Sequence, residues 1–301
     1  MNDLILSQQY ALIALDGLES LHPSLAKNAV MRAIAAAKVL EDGIPFDQES
    51  DLSAFHTKLE KALQNAKNLK KKERAELEKE ISGILEADGL LEEVPDILGC
   101  DINYYTSKTD LKAYRSEEET YLRLREGLRA EILEEGEIST ECAILLWLLR
   151  ESGCMHDLFS LSEQNQVHRR MIDLSAENEF YQSLWHAEFH SATESFSKKF
   201  LKAKDNVFKN PYLEGVNLLF PYMERRKSIF VDFVVLGTNI KERRIAVMEF
   251  LGSMGHYVQE VKIGRETLLK VDNTSYYRIF PTTRRICKIP VQGASLIPAY
   301  W

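Results

Sequence analysis

The sequence predicts an α+β protein, with a mostly helical N-terminal domain that includes a β-hairpin, followed by a small mixed α+β C-terminal domain. Three observations carry that reading. Through the first two thirds, apolar residues recur at the steps of three and four that place them on one face of a helix. From residue 229 the pattern changes to short β-branched and aromatic runs. The charge differs between the same two regions: residues 222–301 carry 13 Lys/Arg against 7 Asp/Glu, a net +6, while residues 1–221 carry 25 against 39, a net −14. A chain of 301 residues is about twice the ~150-residue domain norm. The expected division is a helical domain over 1–175, a helical connector over 176–221 and a basic α+β domain over 222–301.

Taken in order, Asp3 can cap a first helix that reaches Leu15 and ends at Asp16-Gly17. Ser24 opens a second, which runs to Leu40 and stops at Asp42-Gly43. Its apolar positions, among them Leu25, Ala29, Val30, Ile34 and Val39, surround the axis, the pattern of a helix enclosed by others. Residues 52–86 place Phe55, Leu59 and Leu63 on a helix with an exposed charged face. Residues 118–135 form a helix through Tyr121, Leu124, Leu128 and Ile132, terminated by Gly136. The continuous apolar run 144–149 is short and bounded by polar turn residues, so a hairpin is expected there. Residues 168–205 return to helix, with Asn210-Pro211 and Phe220-Pro221 as punctuation. SIFVDFVVL then begins a strand, Thr238 or Asn239 caps a helix reaching Leu251-Gly252, and HYVQEVKI, TLLKV, SYYRIF and ICKIPV read as strands around it.

Composition excludes several classes. With 45% hydrophobic and 28% charged residues the chain is neither disordered nor collagenous. Its four cysteines, Cys100, Cys142, Cys154 and Cys287, form no CxxC pair, which argues against a disulfide framework or structural zinc and for a reducing compartment. The opening lacks a basic n-region with a cleavage site, and no apolar run approaches the ~20 residues that span a bilayer. A cytoplasmic location, with peripheral membrane association open to it, is therefore expected. Phosphate-cradling GxxxxGK[ST], GxGxxG and GxSxG patterns are missing, so catalysis has no motif support and no cofactor is expected.

In YLRLREGLRAEILEEGEISTECAILLWLL, the succession Leu124-Arg125-Glu126, Leu128, Ile132-Leu133-Glu134, Gly136 and Ile138-Ser139-Thr140 before the apolar run resembles the Golgi phosphoprotein 3 family. LILSQQYALIALDG is similar to that family's first helix and AVMRAIAAAKVLEDGI to its buried second helix, so the resemblance covers roughly residues 1–175. It implies a non-catalytic helical domain that docks on membranes by holding a phosphoinositide headgroup and inserting a hydrophobic hairpin, or that engages a protein tail. Arg125 and Arg32 match headgroup arginines. A companion position falls on Leu122, with Arg123 adjacent, and the family's headgroup tryptophan falls near His22-Pro23. These departures fit a divergent, bacterial member better than a Golgi protein.

By helical geometry alone, Arg125 lies within about 40° of Tyr121, on the core-facing side, and Arg32 sits among small residues of its helix. A buried guanidinium needs a carboxylate or phosphate partner. An internal Asp or Glu, a shared anion pocket and simple exposure all remain open. The run Ile144, Leu145, Leu146, Trp147, Leu148 and Leu149 is a core strand, a subunit or domain interface, or a lipid-contacting hairpin. His186 and His190 stand at i and i+4, two thirds of a metal site or ordinary histidines. The basic tail interleaves Arg278, Arg284, Arg285 and Lys288 with Tyr276, Tyr277 and Phe280, a composition that complements the acidic domain, forms a solvated surface or holds single-stranded nucleic acid. The leading expectation is a binding protein for an anionic headgroup or a protein tail, and the rival is a nucleic-acid-associated protein acting through residues 222–301. Oligomeric state is not legible.

Overall fold

Two helices make the centre of the N-terminal region, α1 (Leu6–Leu15) and α2 (Leu25–Leu40). The computed structural model describes residues 4–43, 52–189, 228–232, 240–262, 267–273, 275–286 and 289–299. The Ser24 hydroxyl accepts from the Lys27 amide and starts α2 as expected. Twelve of the sixteen α2 residues are buried, which is the enclosure its all-round apolar pattern predicts. Asp3 lies outside the described residues, and Ile5 stands at the N-cap of α1.

The helix expected over 52–86 is two helices, α3 (Leu52–Asn68) and α4 (Lys71–Ala87). Side chains satisfy the backbone at the break: the Lys70 amide donates to Glu73 at 2.7 Å, and Arg74 donates to the Leu69 carbonyl at 2.9 Å. Next come β1 (Leu91–Pro95), a 3-10 turn (Ile97–Cys100), the single-turn α5 (Ile102–Tyr105) and β2 (Lys112–Ser116). β1 and β2 pair antiparallel, with Leu91 opposite Ser116 and Pro95 opposite Lys112. The segment after α1 lies along β2: Gly17 N donates to Tyr114 O, Tyr114 N to Leu18 O and Ser20 N to Lys112 O.

α6 (Glu118–Leu133) is followed by α7 (Thr140–Ser152). α7 corrects the expected hairpin. The run 144–149 is helical, with all six side chains at most 5% exposed. The Ser139 hydroxyl caps the start, and Gly153, at φ 76°, supplies the left-handed C-terminal residue. A continuous apolar run inside a helix is what a helix surrounded on all sides requires. α8 (Met155–Leu158), α9 (Leu161–Glu177) and α10 (Glu179–His186) follow, so the helix expected over 168–205 is interrupted at Asn178, α10 stops at His186, and residues 190–205 lie outside the described residues.

The basic segment forms β3 (Ile229–Asp232), α11 (Ile240–Ser253), β4 (Val258–Lys262), β5 (Thr267–Val271), β6 (Ser275–Ile286) and β7 (Ile289–Pro298). The sheet is antiparallel in the order β3-β7-β6-β5-β4. Thr238 and Asn239 lie outside the described residues. Val247 and Leu251 of α11 pack with Val231, Leu269, Val271, Tyr277, Ile279 and Leu296 from one sheet face. This second core also takes in Cys100, and Asp101 accepts from the Phe230 amide at 2.7 Å. The expected α+β class is thus observed. Among the described residues no helix is long and apolar enough to cross a membrane.

Candidate functional site

Arg125 sits on α6 with its guanidinium 2.6 Å from the Glu126 carboxylate and over the Tyr121 ring, 6.0 Å from its centroid. Arg123 is exposed on the same helix, and Arg32 is buried on α2. α2 packs against α1, α3, α4 and α7, whereas α6 packs against α1, α7 and α9. Trp147 donates to the Ala187 carbonyl at 3.0 Å from inside the core, so this run offers no surface wedge. α10 stops at His186, and Ala187 is extended. His186 Nδ1 lies 2.8 Å from the Gln182 carbonyl, and His190 is outside the described residues. Among the described residues no cluster of three or more His, Cys, Asp or Glu could hold a metal ion.

A site that no sequence motif announces opens between the start of α2, one face of α4 and the β1–β2 pair. This cleft has a volume of about 780 Å³. On its floor, Lys27 Nζ lies 2.6 Å from Glu78 and donates to the Ser20 carbonyl at 2.5 Å. Tyr114 donates its hydroxyl to the same Glu78 oxygen at 3.1 Å. Burial first, and the Glu78 charge next, push the Tyr114 phenol up, so it stays protonated and acts as a donor. Ser20 donates to Glu93 at 2.7 Å, and that bond, with Lys112 beside it, holds the Glu93 carboxyl below its ordinary value. Neither shift poises a group for proton transfer near neutral pH. The lining offers charged groups and hydrogen-bond donors and acceptors.

The charges around the mouth are unevenly compensated. Glu78 is engaged by Lys27, Glu92 by Arg115 at 2.8 Å and Glu93 by Lys112 at 3.1 Å. Lys71, Arg74 and Lys79 also line the cleft, and among the described residues none of them makes an ion pair. The lining as a whole balances, with Lys27, Lys71, Arg74 and Lys79 against Glu78, Glu86, Glu92 and Glu93, but because Arg115 and Lys112 from outside it engage Glu92 and Glu93, the groups left without an ion pair among the described residues are three cations and Glu86. Leu21 and Pro23 stand on the same rim, and Leu21 and Leu25 are 44% and 54% exposed. A lysine on the buried side of α2 and a tyrosine in KAYRS were the visible signals. Their meeting depends on β2, a five-residue strand too short to announce itself by periodicity.

A second polar cluster joins the two cores. Asp16 Oδ1 accepts from Ser116 N at 2.9 Å and from Asn273 Nδ2 at 3.0 Å, while Asn273 also donates to Ser116 O at 2.7 Å. Beside it, Asp272 accepts from His256 Nδ1 and Tyr257 N and faces Arg115 at 3.4 Å. Burial alone would raise the Asp272 carboxyl, but His256, the Tyr257 amide and Arg115 together hold it below its ordinary value. No family model, curated protein or solved structure matches the chain. Fold and cleft together define an α+β protein with a charged cleft between α2, α4 and the β1–β2 pair.

Proposed function

We propose that this chain is a non-catalytic binding protein whose cleft between α2, α4 and β1–β2 holds the anionic, phosphate-bearing headgroup of a membrane lipid. The supporting observation is that Lys71, Arg74 and Lys79 line the cleft without an ion pair among the described residues, on the same rim as the exposed Leu21 and Pro23. Cations alone would suit any soluble anion. An apolar rim next to them suits a headgroup whose acyl chains begin at the mouth, because the exposed Leu21 and Pro23 then leave water on docking. On this reading the headgroup contacts fall on α4 instead of on Arg125, Arg32 and Arg123, and residues 144–149 have no membrane role.

Vesicle sedimentation tests the reading. The chain is expected to sediment with vesicles containing a phosphatidylinositol phosphate and to stay in solution with phosphatidylcholine alone. Replacing Lys71 and Arg74 by Gln together removes two cations worth ~1 kcal/mol each at a membrane surface, a loss of about thirtyfold. Leu21→Ser should weaken vesicle binding while leaving the affinity for soluble inositol phosphate unchanged. Equal sedimentation of the double variant and the parent would refute the assignment.

A further inference from the structure

We infer that the face of the C-terminal sheet turned away from α11 is a platform for single-stranded nucleic acid. Alternation along β6 puts Tyr277 and Ile279 into the core against α11 and turns Tyr276, Arg278, Phe280, Thr282 and Arg284 to the other side. Register then fixes their neighbours. Leu268 of β5 and Ile297 of β7 flank Arg278, and Lys262 of β4 stands beyond Leu268. Arg278, Phe280, Ile297 and Lys262 are exposed, and the Arg284 side chain, over the Phe230 ring, is 43% exposed.

Two aromatic rings therefore bracket a guanidinium at two-residue spacing, about 6.8 Å from each to the next along the strand. Flat rings accept bases by stacking, which needs no sequence match because every base has a π face, and Lys262, Arg278 and Arg284 can meet the phosphates that follow. Among the described residues, the carboxylates on or beside this face are Asp232, Asp101, 4.0 Å from Arg284, and Glu118, held by Lys270 opposite Tyr276, in a chain whose net charge is −8. A basic, aromatic face on an acidic protein points to a polyanion with stackable groups. The Arg285 side chain and Lys288 lie outside the described residues.

The test is fluorescence anisotropy of the full chain with labelled oligouridine and oligothymidine, with a duplex of equal length and anionic vesicles as competitors. Binding at low salt is expected, with a log–log salt slope of about −2 for three phosphate contacts. Phe280→Ala should weaken it about tenfold. Arg278→Gln, an exposed change that leaves the core untouched, should reduce the slope by about 0.7. The double Gln variant at Lys71 and Arg74 should bind oligonucleotide like the parent, which separates this face from the cleft. Absence of binding at low salt, preference for the duplex, or displacement by vesicles at equal charge would each overturn the inference, the last assigning the face to lipid.

Discussion

Asn273 and Asp16, 257 residues apart in sequence, are joined by a buried hydrogen bond of 3.0 Å. Asp16 ends α1 at the heart of the helical core, and Asn273 lies in the turn between β5 and β6. The bond therefore ties the tip of the basic sheet to the first helix, through a carboxylate that also takes the amide of Ser116 at the end of β2. Lys270–Glu118 and Arg115–Asp272 lie on the same seam. Of these, only Lys270–Glu118 sets a cation of the basic region on an anion of the acidic one, while Arg115–Asp272 runs the other way.

Asn273→Ala removes two donor bonds, to Asp16 and to the Ser116 carbonyl, at a buried site. Leaving buried acceptors short of a donor costs ~1–3 kcal/mol. The expected outcome is a matching fall in chemical stability, with amide protection lost first in β5 and β6. Unchanged protection there would show that the seam does not depend on this residue.

The cleft floor makes a different prediction. Lys27 and Glu78 have side chains only 9% and 13% exposed, so Lys27→Met leaves a nearly buried carboxylate with the Tyr114 hydroxyl. Breaking one partner of such a pair costs about 3–5 kcal/mol, while replacing both with apolar residues is often close to neutral. Lys27→Met is therefore expected to be less stable in urea than the double variant that adds Glu78→Leu. Costs that simply add would show the pair to be uncoupled.

Acid sensitivity follows from Asp272. Its folded carboxyl is held below the ordinary value of 3.8, so its contribution is present above pH 3.8 and is lost as pH falls through the lower folded value. Asp272→Asn should therefore be less stable than the parent near neutral pH, and the two should converge below pH 3.8. Urea midpoints measured across that range check the sign. A gap that widened on acidification would contradict it.

Helix α2 was legible because Ser24 marks its start and apolar residues surround its axis, and the C-terminal strands because β-branched and aromatic runs alternate there. Helix α7 was not. Six successive apolar residues carry no period, and length and flanks must decide; the flanks Ser139 and Gly153, with thirteen residues of helix between them, favoured a helix over a hairpin. The cleft was less legible still. Lys27, Glu78 and Tyr114 come from three elements, and their convergence is a property of how α4 and β2 pack on α2, which local pattern does not encode.

Close packing within the basic sheet gives the last prediction. A Cβ on Gly293 would lie 2.2 Å from the Val231 carbonyl oxygen and 2.8 Å from the Phe230 ring, so β7 approaches β3 more tightly than any side chain permits. Because the nearer atom is backbone, relief requires the strands to separate, and overpacking of this kind costs about 1–3 kcal/mol or more. Gly293→Ala should lower stability and expose the amides of β3 to exchange. Gly252 is the control: it lies inside α11, and a Cβ added there would meet no atom within 4 Å. Gly252→Ala is expected to stabilise by roughly 0.5–1 kcal/mol through the restricted unfolded chain and better helix propensity. If both alanines behaved alike, glycine's role at 293 would be conformational freedom and not the close approach of two strands.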